Sequence, residues 1–223
     1  MHREEAQWIA GEFAPHPVDS ISPLLNIGSS TKEFREKHQG FIETLIFSPL
    51  RSRGVKVIHQ DIKKDEGVDI CGDLTDSYFI ESLIKLNVRS IICSNLMEHL
   101  IDRDAVAQGL VRLFPQGGMI IVTVPYYYPR HMDPIDTMFR PNTDEVAALF
   151  PGTRILRSQI LDVGTAWNSF VKNPKELLKL LIRLLVPFWR FDGWITALNK
   201  FIWLRRPRKI TCVVLSVEPI SAR

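Results

Sequence analysis

Short apolar runs alternate with amphipathic stretches along most of the chain, and most of these runs end in a glycine or a polar residue. Runs of strand length, several of them rich in β-branched residues, predict strands at residues 24–27, 55–59, 68–71, 89–94, 119–125, 155–163 and 210–217. The run at 119–125 is apolar throughout, which is typical of a central strand buried on both faces.

Helices are predicted between these strands. Apolar residues recur at helical spacing after Asp76 and after Asp102, which can cap helix N-termini. Asn142 and Glu145 form a capping-box pattern before another helix. Two further helices are predicted at residues 4–12 and 31–50. Strands that alternate with helices predict an α/β fold with a parallel sheet.

Polar and small residues follow the predicted strands at 28–31, 61, 73, 94–99 and 125–140. In parallel α/β sheets, ligands bind beyond the carboxyl ends of the strands. Because the polar residues follow the strands at these same ends, the sequence predicts a small-molecule site at the carboxyl edge of the sheet.

Each candidate binding residue also has a structural interpretation. The turn at 26–31 either brings a ligand close to the backbone at a helix N-terminus or merely joins a strand to a helix. It carries neither the three-glycine pattern of dinucleotide-binding folds nor a P-loop. Asp61 either accepts hydrogen bonds from a ribose diol or is a solvated carboxylate. Asp73 either holds an adenine amine or caps a helix.

Six segments follow one another within residues 24–162: LLNIGSS, VIHQDI, GVDICGDL, SIICSNLMEHL, FPQGGMIIVTVP and HMDPIDTMFRP. Their residues and order resemble the class I S-adenosylmethionine (SAM)-dependent methyltransferases. The match is closest to the type 11-like branch associated with glycan and small-molecule methylation. The resemblance implies a Rossmann-like three-layer sandwich with a mostly parallel seven-stranded sheet and an antiparallel last strand.

The resemblance also implies SAM as cofactor and assigns its binding residues. The first turn would hold the methionine portion, the acids after the second and third strands the ribose and the adenine, and the segment after the fourth strand the sulfonium side. The implied residues are Asn26, Gly28, Ser29, Ser30, Asp61, Asp73, Leu74 and Asn95. An acid is usual in that family where this chain has Asn26, and glycines are usual where it has Ser29-Ser30 and Lys32.

The loop after the fifth strand holds the candidate catalytic residue. His131 is the candidate base for a hydroxyl acceptor, because imidazole titrates near neutral pH. The alternative is a loop histidine that caps or packs. Asp136 and Arg140 are expected to form an ion pair that holds the loop, and His99 is expected to be structural. No metal ligand is assigned.

Charge is distributed unevenly. Residues 172–209 carry ten Lys and Arg against two acidic residues, a net charge of +8, whereas the whole chain has +3. Leucines and three tryptophans lie among the basic residues of 175–206, as in interfacial amphipathic helices. The alternative is a lid or a homodimer-forming helical hairpin, and the continuous leucine face argues against a nucleic-acid partner.

The 223 residues are expected to form one methyltransferase domain, 1–223, with 165–208 as a helical, basic, Trp-rich insertion between the last two strands. Three cysteines without a CxxC pair predict buried free thiols rather than disulfides or a zinc site. The polar N-terminus and the lack of a long uncharged apolar run predict a cytoplasmic protein. Peripheral membrane contact is one of the two alternatives for residues 175–206.

We therefore expect a SAM-dependent methyltransferase that methylates oxygen on a small-molecule or lipid-linked acceptor, such as a glycan. The alternative is a non-catalytic protein of the same fold that binds a membrane surface or a protein partner. Binding of SAM separates the two.

Overall fold

The computed structural model describes residues 1–114, 117–131, 135–167, 174–185 and 191–218. Its centre is a seven-stranded sheet with the order β3-β2-β1-β4-β5-β7-β6. The strands are β1 (Leu24–Ile27), β2 (Val57–Asp61), β3 (Ile70–Cys71), β4 (Ser90–Ser94), β5 (Gly118–Tyr127), β6 (Thr153–Asp162) and β7 (Lys209–Val217).

The five strands in the order β3-β2-β1-β4-β5 pair in parallel, and β7 is antiparallel to both β5 and β6. The predicted mostly parallel sheet with an antiparallel last strand is therefore confirmed. The chain adds β2 and β3 on one side of β1 and then crosses to β4 on the other. In open α/β sheets this reversal opens a crevice at the carboxyl ends of the strands, here β1 and β4.

The α-helices of the described residues are α1 (Arg3–Phe13), α2 (Val18–Ile21), α3 (Ser48–Ser52), α4 (Ser77–Ile84), α5 (Arg103–Arg112), α6 (Thr143–Ala148), α7 (Pro174–Leu185) and α8 (Phe191–Ile202). Helices α1 to α6 cover both faces of the sheet and complete the three layers. Side chains of α4, α5 and α6 pack in one core cluster, and those of α1 and α3 pack in the other.

From Met119 to Val124 the sequence of β5 is apolar at every position except Thr123, and the structure shows why. Ile120 and Val122 belong to the first core cluster, whereas Met119 and Ile121 belong to the second. Successive side chains of a strand point to opposite faces, so both sets need to be apolar when both faces are covered.

Three predicted helix starts are confirmed by their caps. The side chain of Asp76 accepts from the backbone N–H of Tyr78, and that of Asp102 accepts from the backbone N–H of Ala105. Asn142 begins α6 with the predicted capping box. Each cap satisfies a backbone donor that has no partner within its helix.

Residues 31–50 do not form the single helix that their pattern predicts. The chain makes π-helical turns at Phe34–His38 and Glu43–Phe47 and then enters α3. A Cβ atom added at Gly40 would lie 2.8 Å from the backbone oxygen of Glu36. The backbone therefore packs tightly at the break, which a glycine permits.

The prediction that all three cysteines are buried is wrong for Cys71. Cys93 and Cys212 are buried in β4 and β7, but Cys71 is exposed at the end of β3. Strand β3 has only two residues and forms the edge of the sheet, so few atoms cover its last side chain.

Helices α7 and α8 follow β6 and precede β7 along the chain, and they pack on each other. Leu180 and Ala197 are buried, and Trp194 Nε1 donates to the backbone oxygen of Leu184 at 3.0 Å. Nowhere in the described ranges is a helix both long and apolar enough to cross a membrane. Several positions singled out in the sequence lie outside the described residues, namely Pro115, Gln116, Met132, Asp133, Pro134, Pro187, Phe188 and Trp189.

Candidate active site

A cleft of about 910 Å³ opens at the carboxyl edge of the sheet. Residues from the ends of β1, β2 and β4, from the segment after β3 and from the loop after β5 line it. All nine residues assigned from the sequence are on its walls: Asn26, Gly28, Ser29, Ser30, Asp61, Asp73, Leu74, Asn95 and His131. The fold thus brings together candidates that are spread over more than a hundred residues of sequence.

The turn after β1 owes its shape to two residues in the left-handed region. Gly28 has φ +61°, and Ser30 has φ +55°. A Cβ atom at Gly28 would lie 3.0 Å from Leu96 Cδ1, so a side chain there would crowd the segment after β4. Arg35 fixes the turn because its Nη1 donates to the backbone oxygens of Ser29 and Ser30 at 3.0 and 2.6 Å.

Asn26, which stands where an acid is usual, is paired with a neutral partner. Its side-chain amide lies 3.1 Å from Nδ1 of His59, its register partner on β2. Burial, reinforced by the positive charge of Arg35, lowers the pKa of His59 to about 4. The imidazole is therefore neutral at neutral pH and can accept a hydrogen bond from the amide.

Asp61 ends β2 and supports the glycine turn. Its Oδ2 accepts from the backbone N–H of Ser30 at 2.8 Å, and its Oδ1 accepts from the backbone N–H of Lys63 at 3.1 Å. A carboxylate offers about four lone-pair positions, so Asp61 keeps acceptor capacity for a ligand.

The walls beside Asp61 offer further acceptors. Gln60 donates through Nε2 to the backbone oxygen of Gly72, and its buried Oε1 has no partner in the described part of the chain. Asp73 Oδ1 accepts from the backbone N–H and the hydroxyl of Thr75, and the nearly buried Leu74 follows it. This wall suits a ligand that carries N–H and O–H donors.

Asn95 is held by a residue that the sequence analysis did not single out. Glu5, a fully buried residue of α1, accepts through Oε1 from Asn95 Nδ2 at 2.7 Å, from Ser94 Oγ at 2.9 Å and from Thr123 Oγ1 at 2.6 Å. Glu5 Oε2 accepts locally from the backbone N–H of His2 at 3.0 Å, but the partners of Oε1 lie about 90 or more residues away along the chain, so no local pattern predicts its contact with Asn95.

His131 lies on the same cleft and is oriented by Asp136. His131 Nδ1 and Asp136 Oδ2 are 3.1 Å apart, and Arg140 Nη2 donates to the same oxygen at 2.6 Å. The expected Asp136–Arg140 ion pair is thus confirmed. Burial alone would raise the pKa of Asp136, but hydrogen bonds from Arg140 and from backbone N–H groups outweigh it and hold the pKa below its usual range.

A buried carboxylate faces His131 from the segment after β4. Glu98 is fully buried, and neither of its carboxylate oxygens has a hydrogen-bond partner in the described chain. Burial raises the pKa of Glu98 to about 8. Its Oε1 lies 3.8 Å from His99 Nε2 and 3.9 Å from His131 Nε2.

No protein-family model and no curated protein matches the sequence, but solved structures match the fold. A SAM-dependent methyltransferase from Archaeoglobus fulgidus is similar with a TM-score of 0.52 and 13% identity, over 96% of this chain and 94% of that one. Coclaurine N-methyltransferase bound to N-methylheliamine and S-adenosylhomocysteine (SAH) is similar with a TM-score of 0.53 and 11% identity, over 94% and 71%. The cyclase SpnF is similar with a TM-score of 0.51 and 14% identity, over 96% and 81%.

These likenesses show that the chain has the Rossmann-like fold of class I methyltransferases. The structural similarity establishes the fold, but at identities this low the reaction has to be inferred from the chemistry of the site. The cyclase among the neighbours illustrates that this fold also supports other reactions.

Proposed function

We propose that this protein is a SAM-dependent methyltransferase that methylates an oxygen of a small-molecule acceptor. One observation carries the proposal: nine candidate residues from distant parts of the sequence line a single cleft at the carboxyl edge of the sheet. Its volume of about 910 Å³ is in the upper part of the range of small-molecule sites, roughly 300–1,000 Å³. The cleft is therefore large enough for a cofactor and a small acceptor.

The residues on one side of the cleft fit SAM. Asp61 and the unpartnered Oε1 of Gln60 can accept from ribose hydroxyls, and Asp73 can accept from the adenine amine. The turn at Gly28 leaves its backbone uncovered by a side chain, as a closely bound methionine portion requires. Bound SAM supplies a methyl group on a positively charged sulfur, so the protein needs to align the acceptor and remove its proton.

His131 is suited to proton removal. The carboxylate of Asp136 lies beside its Nδ1 and orients the ring, so that Nε2 is the nitrogen left to accept a proton from the acceptor. Because His131 is about one third exposed on the cleft, an acceptor hydroxyl can reach it. Tyr128 lies next to it, with ring centroids 5.8 Å apart, and adds a flat apolar wall for the acceptor.

Surface chemistry on α7 supports a lipid-linked acceptor and peripheral contact with an anionic membrane. Leu178, Ile182 and Leu185 are 59%, 54% and 81% exposed at helical spacing on one helix, and such a group of exposed apolar side chains marks an interaction surface. Lys175 and Lys179 lie on the same helix. Exposed leucines beside lysines match an interface between apolar lipid chains and anionic headgroups. A homodimer that covers the same leucines is the competing explanation.

The same surface favours a second candidate function, a non-catalytic protein of this fold that binds a membrane or a partner. Calorimetric titration of the full chain with SAM and with SAH distinguishes the two. We expect one binding site per chain and a melting temperature that rises with ligand concentration. No binding at millimolar SAM would contradict the enzyme and favour the non-catalytic protein. Incubation with methyl-labelled SAM and cell extracts, followed by mass spectrometry of small-molecule and lipid fractions, then identifies the acceptor.

A further inference from the structure

Glu98, His99 and His131 place three metal-binding atoms within 4.8 Å of one another. The carboxylate is fully buried, and both histidines line the cleft, so the group lies between the protein interior and the acceptor side. Two imidazole nitrogens and one carboxylate oxygen are a common ligand set for divalent transition metals in enzymes.

Both imidazoles are held through the nitrogen that faces away from Glu98. His99 Nδ1 forms a hydrogen bond with the backbone oxygen of Ile135, and His131 Nδ1 lies 3.1 Å from Asp136 Oδ2. An imidazole that donates through Nδ1 has its lone pair on Nε2. In metal sites, a ligating histidine typically donates its other N–H to a carboxylate or a backbone carbonyl, which are the two partners found here.

Glu98 supplies an independent observation. Both of its oxygens are buried without a hydrogen-bond partner among the described residues, and a buried polar group without a partner is costly. His99 Nε2 and His131 Nε2 lie 3.8 and 3.9 Å from Oε1 of Glu98. The hydrogen-bond contacts of both rings through Nδ1 favour a lone pair on these two Nε2 atoms. A divalent cation held by Nε2 of both rings and by the carboxyl group of Glu98, which loses its proton on coordination, would give these buried oxygens a partner.

We propose that Glu98, His99 and His131 bind a divalent transition-metal ion such as Zn²⁺, with an open coordination position that faces the cleft. Three protein ligands and one open position are typical of catalytic zinc. When bound, a cation at this position would lower the pKa of a coordinated hydroxyl and so ease loss of its proton to solvent water, and His131 would contribute as a ligand instead of taking that proton itself. That catalytic use rests on the proposed function, whereas the binding of the ion does not.

Loading requires a small rearrangement. Ligand atoms about 2.1 Å from a tetrahedral ion lie roughly 3.4 Å apart, so the separations of 3.8 and 3.9 Å need to close slightly. The two imidazole rings are stacked, with centroids 5.2 Å apart and planes at 21°. Each ring needs to rotate so that Nε2 points at a shared ion.

Calorimetry of the tag-free, chelator-treated full chain with Zn²⁺, and visible absorption with Co²⁺, test the proposal. We expect one ion per chain, and at least about a hundredfold weaker binding in Glu98→Gln and in His99→Asn. Asp136→Asn, which removes a carboxylate that supports His131 and also pairs with Arg140, should weaken binding by about 10- to 100-fold. Circular dichroism of each variant establishes that it is folded.

Cys71→Ser and His16→Asn are the matched controls, because they remove a thiol and an imidazole that lie outside the three-residue group. Both should bind Zn²⁺ like the unaltered chain. Wild-type affinity in folded Glu98→Gln and His99→Asn, or no binding of either ion by the unaltered chain, would overturn the proposal. SAM titrations of the same samples keep the two proposals separate, since loss of SAM binding with zinc binding retained contradicts only the methyltransferase.

Discussion

The Nδ1 atom of His131 and Oδ2 of Asp136 lie 3.1 Å apart in a network that also includes Arg140. The carboxylate of Asp136 is fully buried, and the side chain of Arg140 is 12% exposed. This network orients the imidazole and holds the loop after β5. We therefore expect stability and, under the proposed function, turnover to depend on it.

We expect Asp136→Asn to lower the free energy of unfolding by about 3 kcal/mol, because removing one partner of a buried ion pair leaves the other charge uncompensated. Urea denaturation monitored by fluorescence measures the change. Glu33→Gln is the matched control, since Glu33 and Lys37 form an exposed pair with the same four-residue spacing. That control should lose less than about 1 kcal/mol. Equal losses in the two variants would contradict the buried network.

Asp61→Asn should weaken SAM binding by about 10- to 100-fold, the loss expected for a hydrogen bond to a charged acceptor worth roughly 1.5–3 kcal/mol. Calorimetry on the folded variant measures the affinity. Asp19→Asn removes an exposed carboxylate that does not line the cleft and should leave the affinity unchanged. Unaltered affinity in Asp61→Asn would exclude Asp61 from the cofactor site.

His131→Ala should bind SAM normally but turn over the acceptor at least about 10²-fold more slowly, because its contribution is to the acceptor and not to the cofactor. Single-turnover rates with the identified acceptor measure the loss. His38→Ala is the variant for comparison with His131→Ala. His38 also lines the cleft, but it lies on the π-helical turn Phe34–His38 and not on the loop after β5. Equal rates for His131→Ala and the unaltered chain would make the loop a scaffold only.

Stability should fall on acidification because of His59. Its pKa is about 4 in the folded chain and about 6.5 in an unfolded one, so protonation favours unfolding as the pH falls from about 6.5 towards 4. Between pH 7.5 and pH 5, the free energy of unfolding of the unaltered chain should therefore fall by about 2 kcal/mol more than that of His59→Gln. Urea titrations at the two pH values measure it, and a difference independent of pH would contradict a buried neutral His59.

Flotation with vesicles tests the membrane contact of α7. The chain should bind vesicles with anionic lipid, bind neutral ones weakly, and dissociate with salt, because each lysine or arginine near anionic lipid contributes about 1 kcal/mol that salt screens. Replacing the exposed Leu178 and Leu185 by Gln should reduce binding to the vesicles. Ile62→Gln is the control, because Ile62 is also exposed but lines the cleft, and it should leave vesicle binding unchanged.

Failure to bind anionic vesicles at low salt would argue against a membrane surface. Light scattering then decides whether a homodimer covers the leucines, since a dimer should revert to a monomer in the Leu178→Gln, Leu185→Gln variant.

Much of the fold followed from the sequence because its signals are local. The apolar run of β5, the caps at Asp76, Asp102 and Asn142, and the polar residues after each strand are all set by neighbours within a few positions. Periodicity and capping depend on side chains one strand or one helical turn apart, so a pattern in the sequence is sufficient to predict them. The carboxyl edge as the place of the site follows from the same information.

Only the tertiary structure decided which side chains meet. Asn26 contacts His59 because β1 and β2 pair in a register that places the two residues side by side. Glu5 reaches Asn95 across 90 residues, and Glu98 faces His131 from a different loop. Sequence patterns encode local conformation and burial, but the distance between two loops depends on strand order and register. For that reason the buried position of Glu98, without a hydrogen-bond partner among the described residues, became visible only in the folded chain.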